Sequence, residues 1–379
     1  MAANVFFFLG ASSSGKTESL RYLHRSHDFA LISKQTTRLR RDNDGNEVEN
    51  VSQLSSDCDV RYTQYGVEYG FQAQQIWDHL SKGRSCCVVI NDIRTLRLLK
   101  RKFGGLSRCI YIHSNISTDS VLENEARRHS TPGNPQVELH AIRRAEKIAA
   151  IHRKYIENST IFDATVLNIG DLSELYAQLD TLASLAFYPV DRERVSAKVF
   201  VICGNSFSGK DQLINAMQQM QRNRAFIYTK GTTREKRASD GGELAHMPAD
   251  AFPDTYDITY EKQGHTYGIS TAEIWHGLSR DRVLLVAIND AEIIVKMKQI
   301  FGQSCVVLYL HFDQIADELE KQEGADIPAN ELMLRLSVAK QLEATYFHNL
   351  GLFDHVLLNT TNIEDLYDQA FNVYDYYCL

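Results

Sequence analysis

The chain has 379 residues, of which 44% are hydrophobic and 23% charged, and its formal net charge is -7. This composition is typical of folded globular proteins and excludes a disordered or collagen-like chain, while the length suits two domains better than one. The negative charge argues against a nucleic-acid partner, because such a surface repels a phosphate backbone.

The seven cysteines are odd in number and include no C-x-x-C pair. Several lie in apolar runs, where we expect small buried side chains and not metal ligands, as in a reducing cytoplasm. Residues 1–9 lack a basic stretch and lead directly into a glycine-rich loop, so we interpret them as a first strand and not a signal peptide. No apolar stretch approaches the roughly 20 residues that span a bilayer. The sequence therefore predicts a soluble, cytoplasmic protein without a membrane partner.

The first predicted element is a strand over Val5–Leu9, and a loop that fits G-x-x-x-x-G-K-[ST] in full follows it. Glycines let the backbone N–H groups of such a loop surround phosphate oxygens, and the helix that starts next turns its positive end to the anion. The terminal hydroxyl of the motif is a ligand for Mg²⁺. The predicted ATP-phosphate ligands are Gly10, Ser12, Ser13, Ser14, Gly15, Lys16 and Thr17.

Four more apolar runs follow in the first half of the chain, and they predict a parallel sheet covered by helices on both faces. Between them lie two polar regions. Residues 35–69 are expected to be an irregular, inserted acceptor-binding region, and residues 117–158 a helical lid. The predicted strands are Phe29–Ile32, Cys87–Ile90, Cys109–Ile112 and Ala164–Leu167.

The second half repeats these features in the same order, which predicts a tandem duplication. Thr36-Thr37-Arg38 corresponds to Thr232-Thr233-Arg234, and a Tyr-Gly element follows in each half. The predicted domains are residues 1–188 and 196–379, joined by an exposed connection after Pro189.

The second loop differs from the first only at its last motif position, where Asp211 replaces the hydroxyl residue. A carboxylate is also an oxygen ligand for Mg²⁺, but it brings negative charge close to a triphosphate. Loss of function and a different metal arrangement both remain open. The predicted phosphate ligands here are Gly204, Ser206, Ser208, Gly209, Lys210 and Asp211.

With these motifs in this order, each half resembles the guanylate kinase superfamily of P-loop phosphotransferases. The resemblance implies that two arginines and a tyrosine of the inserted region hold the phosphate of an acceptor, a role that suits arginine. Those enzymes carry a base-reading glutamate where this chain has Val60 and Ile258, so guanine specificity is not implied. The implied acceptor ligands are Arg38, Arg41 and Tyr69 in the first half, and Arg234, Arg237 and Tyr267 in the second.

The motifs are also similar to those of the ribose 1,5-bisphosphate phosphokinase branch. In that branch the loop ends in Gly-Lys-Asp, as Gly209-Lys210-Asp211 does here. Its Val-Val-x-Asn-x-x-Arg motif is similar to residues 88–94, which implies an acceptor role for Arg94. The acceptor implied is a small phosphorylated molecule, either a sugar phosphate or a nucleotide.

The two predicted lids differ in charge. The first carries Arg127-Arg128 and Arg143-Arg144, whereas residues 318–323 of the second are mainly acidic and Arg335 remains. Cations stabilise the charge on a transferring phosphoryl group, so the first domain is the expected catalyst. The residues predicted to act in catalysis are Lys16, Arg38, Asp92, Arg128 and Arg144, with Mg²⁺ at Thr17 and Asp92.

The leading hypothesis is a Mg²⁺- and ATP-dependent kinase that moves the γ-phosphoryl group onto the phosphate of the acceptor. The alternative is a nucleotide- or partner-binding module with little catalysis, above all for the second domain.

Overall fold

The computed structural model describes residues 3–40, 45, 47–115, 135–185, 198–205, 208–221, 224–236, 241–313, 329–359 and 362–378. Its contacts divide the chain into two compact units, Met1–Pro189 and Val190–Leu379, called unit 1 and unit 2 below. Within the described ranges, no helix is both long and apolar enough to cross a membrane.

Unit 1 is built on a five-stranded, fully parallel sheet in the order β2-β7-β1-β8-β9. Its strands are β1 Val5–Gly10, β2 Ala30–Leu31, β3 Lys34–Thr36, β4 Val48–Asn50, β5 Val60–Gln64, β6 Val67–Phe71, β7 Cys86–Val89, β8 Ser107–His113 and β9 Ala164–Leu167. Its helices are α1 Lys16–His27, α2 Gln74–Leu80, α3 Ile93–Phe103, α4 Pro135–Ile156 and α5 Leu172–Ser184.

Unit 2 has the corresponding parallel sheet in the order β11-β16-β10-β17-β18. Its strands are β10 Val199–Gly204, β11 Ala225–Ile227, β12 Lys230–Thr232, β13 Leu244–His246, β14 Ile258–Lys262, β15 His265–Ile269, β16 Val283–Ala287, β17 Cys305–Phe312 and β18 His355–Asn359. Its helices are α6 Lys210–Met220, α7 Thr271–Leu278, α8 Ala291–Phe301, α9 Ala329–His348 and α10 Ile363–Cys378.

The predicted class, mixed α/β with parallel sheets flanked by helices, is confirmed. Every residue of β1 and of β10 is buried, as expected for central strands covered on both faces. The predicted bounds of the central strands are right to within two residues, and those of β9 agree fully.

The expectation of an irregular region over residues 35–69 is wrong. The chain there forms a separate four-stranded sheet in the order β4-β3-β6-β5, and unit 2 has the matching sheet β13-β12-β15-β14. Polar residues dominate these strands because one face is in solvent; in β5, Val60 and Tyr62 are buried while Arg61 and Thr63 are exposed. A tight turn with positive φ at Tyr65 and Gly66 closes the hairpin between β5 and β6.

Each half has a Phe-Asp motif before its last strand, Phe162-Asp163 and Phe353-Asp354, and a half-buried ion pair explains it. The Asp163 carboxylate accepts a hydrogen bond from the Cys109 N–H at 2.8 Å and lies 3.0 Å from the Lys100 ammonium. In unit 2, Asp354 forms the same pair with Lys298. The motif therefore joins the last strand of each sheet to a neighbouring helix and belongs to the fold.

The cysteines are all buried free thiols, as the sequence predicted. Burial raises the pKa of each thiol, for example to about 12 for Cys109 and Cys203. High pKa values leave little thiolate, so these side chains are packing groups and not nucleophiles.

Candidate functional site

The phosphate loop of unit 1 lies between the carboxyl end of β1 and the start of α1. Gly15 caps the helix with a φ of 93°, a conformation that favours glycine, and Ser13 has a φ of 67°. A Cβ atom at Gly10 would come within 2.7 Å of the Ile112 carbonyl oxygen, so this position requires glycine. The loop thus sets the positive end of α1 at the tip of the central strand, as an anion site requires.

Two side chains from later in the chain hold this loop. The Asn168 amide donates a hydrogen bond to the Ser14 carbonyl oxygen at 3.1 Å. The Arg144 guanidinium donates to the Ser13 hydroxyl, which brings α4 onto the loop. Asn168 was not predicted as a site residue, although its repetition as Asn359 in the second half was the available signal.

Helix α4 also contacts the inserted sheet. The Lys147 ammonium lies 5.0 Å from the centre of the Tyr65 ring at the tip of the hairpin. One cationic side of α4 therefore meets both the phosphate loop and the inserted sheet, which is where a lid over the site has to lie. Arg128 lies outside the described residues.

A cleft of about 150 Å³ separates the loop from the inserted sheet of unit 1. Four predicted site residues line it together: Lys16, Thr17, Arg38 and Tyr69. The Lys16 ammonium donates to the Ala11 carbonyl oxygen in the loop, and the Tyr69 ring stacks on Tyr62 with 5.2 Å between centres. Arg41 lies outside the described residues.

The sequence reasoning missed Lys34, which lines the same cleft. Its ammonium donates to the Val89 carbonyl oxygen at 2.8 Å and lies 5.2 Å from the centre of the Tyr69 ring. Burial, with a smaller contribution from Arg38, lowers its pKa to about 8. The signal was present in the sequence as Lys-x-Thr-Thr-Arg in both halves.

Asp92 and Arg94 are placed at the start of α3 and do not line this cleft. Asp92 Oδ2 caps the helix by accepting from the Thr95 N–H at 2.8 Å and from its hydroxyl at 2.7 Å. Arg94 is exposed. Asp59, one position before the absent base-reading glutamate, accepts from the Ala73 N–H and pairs with Lys102, so its role is structural.

The phosphate loop of unit 2 has the same local geometry. Gly209 caps α6 with a φ of 88°, and the Asn359 amide donates to the Ser208 carbonyl oxygen at 3.1 Å. The Lys210 ammonium donates to the carbonyl oxygens of Gly204 and Asn205, both at 2.6 Å. Ser206 lies outside the described residues.

The Asn289 side chain also fixes this second loop. Its amide accepts from the Gly204 N–H at 3.1 Å and donates to the Gly204 carbonyl oxygen at 2.9 Å. The last residue of β10 is therefore held from the carboxyl end of the neighbouring strand.

The cleft of unit 2 is larger, about 270 Å³. The predicted residues Lys210, Asp211, Arg234 and Tyr267 line it together, whereas Arg237 lies outside the described residues. Two unpredicted lysines, Lys230 and Lys262, line it as well.

Lys230 is the counterpart of Lys34 in unit 1. Its ammonium donates to the Ala287 carbonyl oxygen and lies 5.8 Å from the centre of the Tyr267 ring. Burial lowers its pKa to about 8, and nearby cations, Lys262 first, contribute in the same direction. Both clefts therefore have a buried ammonium at the same place.

Comparisons with known proteins find similarity to solved structures, but none to a family model or a curated protein. No protein-family model matches the chain, and no curated protein matches it. A solved guanylate kinase from Anaplasma phagocytophilum is similar over 48% of this chain and 85% of its own, at 16% identity and a TM-score of 0.36. Similarity at this level says nothing about the reaction, which has to be argued from the residues of the clefts.

Proposed function

We propose that unit 1 is an ATP-dependent phosphotransferase that moves the γ-phosphoryl group onto the phosphate group of a small acceptor. One observation carries this proposal: Lys16 and Thr17 of the phosphate loop line the same cleft as Arg38 and Tyr69 of the inserted sheet. A donor held at the loop and an acceptor held at the inserted sheet would meet across this cleft.

The charge of the cleft supports phosphate chemistry. In the described part of the chain, its lining includes the cations Lys16, Lys34 and Arg38 and one carboxylate, Glu47. Phosphoryl transfer needs little covalent participation from a protein, and positioning with charge neutralisation supplies most of its catalysis. Arg144, which reaches the loop at Ser13, adds a cation where charge develops in the transition state.

Mg²⁺ is a proposed cofactor, and the residues of unit 1 fit it. Thr17 lines the cleft and would hold the ion through its hydroxyl. Asp92 lies outside the cleft lining at the start of α3; its Oδ2 caps the helix, and its Oδ1, which has no hydrogen bond within the described part of the chain, would contact the ion through water. Hydroxyl and carboxylate oxygens are ligands that Mg²⁺ takes in proteins, directly or through water. When bound, the ion would neutralise the charge on the donor phosphates.

The acceptor is proposed to be a nucleoside monophosphate or a ribose bisphosphate. Val60 is buried in β5 and offers no group that could pair with a base. Lys34 instead puts an ammonium beside Tyr69, where a second anionic group of the acceptor would gain a charge-assisted hydrogen bond. This favours the bisphosphate over the base-bearing acceptor.

Turnover assays on the full-length chain test the proposal. ATP and Mg²⁺ are supplied with a panel of nucleoside monophosphates and ribose phosphates, and ADP release is measured. We expect release with at least one acceptor and a loss of at least about 100-fold in Lys16→Ala, because the donor loses its main cationic contact. Lys82→Ala removes an exposed lysine of the same unit and is expected to leave the rate unchanged.

Two results would reject the proposal. One is the absence of ADP release with every acceptor, and the other is equal activity in Lys16→Ala and Lys82→Ala.

Unit 2 is proposed to bind nucleotide with little or no turnover. The specific observation is Asp211, which lines the second cleft where Thr17 lines the first. A carboxylate there repels the donor phosphates that the neighbouring Lys210 attracts.

A further inference from the structure

The second cleft contains a lysine that has no counterpart in the first. Lys262 ends β14 and pairs with His265 across the hairpin to β15. In unit 1 the same register position of the β5–β6 hairpin is Gln64, which pairs with Val67. Lys262 lines the cleft of unit 2, whereas Gln64 is not among the residues lining the cleft of unit 1.

The Lys262 side chain is partly buried, and within the described ranges its ammonium forms no hydrogen bond and no ion pair within 4.0 Å. It lies near enough to Cys203, the residue before the loop, and to Asp290 to be influenced by their charge. An ammonium without a close acidic partner at the phosphate loop is available to an anionic ligand.

The two loops differ by a charge that Lys262 balances. At the loop, Asp211 adds one negative charge relative to Thr17, and Lys262 adds one positive charge relative to Gln64. Among the residues that the structure describes, the cleft of unit 2 is then lined by four cations and three carboxylates. The cations are Lys210, Lys230, Arg234 and Lys262, and the carboxylates are Asp211, Glu243 and Asp290. Despite Asp211, this cleft still favours an anion.

The residues of unit 2 do not fit a magnesium site like the one proposed for unit 1. Asp211 and Asp290 line this cleft with carboxylate oxygens of the kind that Mg²⁺ takes, but the Lys262 ammonium lines the same cleft, competes for these carboxylates and repels a divalent cation. An ammonium beside phosphate oxygens neutralises their charge as a metal ion does, and it is part of the chain.

We propose that unit 2 binds the phosphate groups of a nucleoside triphosphate without a divalent cation, with the Lys262 ammonium supplying the charge that a metal ion supplies in unit 1. The inference rests on the proposed nucleotide site of unit 2 and does not depend on turnover in unit 1.

Calorimetric titration of the full-length chain with ATP tests this inference. Lys16→Ala disables the loop of unit 1, so binding by that variant reports unit 2, and Lys210→Ala conversely reports unit 1. Each is titrated in excess Mg²⁺ and in excess EDTA, and the double variant gives the baseline. In EDTA we expect the Kd to rise less than about threefold in Lys16→Ala and at least about tenfold in Lys210→Ala, because one charge-assisted contact is worth about a factor of ten or more.

Substitutions at Lys262 and Gln64 then assign the effect. In the Lys16→Ala chain, Lys262→Gln is expected to weaken binding in EDTA at least about tenfold, whereas Lys262→Arg retains the charge and most of the affinity. Lys296→Gln removes an exposed lysine of α8 and corrects for the general change in charge. In the Lys210→Ala chain, Gln64→Lys is expected to reduce the loss of affinity in EDTA.

The inference is overturned by any of three results. Lys262→Gln could bind ATP in EDTA as the Lys16→Ala parent does; EDTA could weaken both units equally; or the Lys16→Ala chain could bind no ATP in either buffer while retaining its thermal unfolding transition. If the chain shows no kinase activity but these titrations give the expected values, the proposed reaction fails and the inference stands.

Discussion

The clefts of the two units are built on the same backbone framework of strand, loop and inserted sheet, and they differ in where they carry charge. In both, a central buried strand delivers a glycine-capped loop, and an inserted sheet supplies a lysine, an arginine and a tyrosine opposite it. The shared pairs are Lys16 and Lys210, Lys34 and Lys230, Arg38 and Arg234, and Tyr69 and Tyr267.

The differences fall on side chains that the backbone geometry does not constrain. A hydroxyl becomes the carboxylate of Asp211 at the loop, and an amide becomes the ammonium of Lys262 in the hairpin. At the start of the next helix, outside the lining of either cleft, Arg94 becomes Glu292. Glycine φ angles and buried strands hold the loop in place in both units, so a charge can move from one cleft wall to the other without disturbing the fold. Similar geometry therefore does not imply similar chemistry.

The largest expected effect concerns the arginines that line both clefts. Arg38→Ala should lower kcat/KM for the acceptor about 100-fold, since it removes a charge-assisted contact to the phosphate of the acceptor. Arg234→Ala, the same change in unit 2, should alter turnover less than about twofold. Steady-state rates of the two full-length variants measure the difference, and equal losses would show that both units catalyse.

A smaller effect is expected at the lid. Arg144→Ala should lower kcat about tenfold, because the guanidinium that reaches Ser13 adds positive charge at the donor phosphates. Its neighbour Arg143 is exposed on α4, and Arg143→Ala should change kcat less than about twofold. Single-turnover rates at saturating ATP separate this effect from weaker nucleotide binding, and matching rates for the two variants would remove Arg144 from the site.

Much of the frame could be predicted because it depends on local physical rules. Central strands such as Val5–Gly10 are apolar throughout because helices cover both faces, and the loop at Gly10 and Gly15 needs the backbone freedom of glycine. The inserted sheet was missed because its strands are three to five residues long and one face is polar, so the alternation in β5 is short and easily taken for a loop.

The site was harder to predict from sequence than the frame. From sequence alone, Lys34 and Lys262 are expected to be solvated surface lysines, because the amino-acid pattern does not reveal that the inserted sheet places them at a cleft. Asp92 was expected at the metal, yet most of its hydrogen bonding goes to the cap of α3, a competing use for a carboxylate at that position.

The smallest expected effect concerns stability, and it should be the same in both units. The Lys34 ammonium has a pKa of about 8 in the folded chain against 10.5 in the unfolded one, so below pH 8 its burial costs about 3 kcal/mol of folding free energy. Lys34→Met removes this cost but also the hydrogen bond to the Val89 carbonyl oxygen, a loss of about 1–3 kcal/mol. We expect the variant to be about 1 kcal/mol more stable at pH 7, and Lys230→Met likewise.

The sign of the pH dependence provides the decisive check on that expectation. Between pH 8 and 10.5 the unfolded chain binds more protons at Lys34 than the folded chain does, so this lysine makes the native protein more stable as the pH rises. The advantage of Lys34→Met over the native chain should therefore shrink across this window and reverse about one pH unit above pH 8; by pH 10.5 only the lost hydrogen bond remains. Urea unfolding at several pH values measures it. A difference that stays constant with pH would mean that the Lys34 ammonium is solvated. It would contradict the conclusion that both clefts have a buried ammonium at the same place.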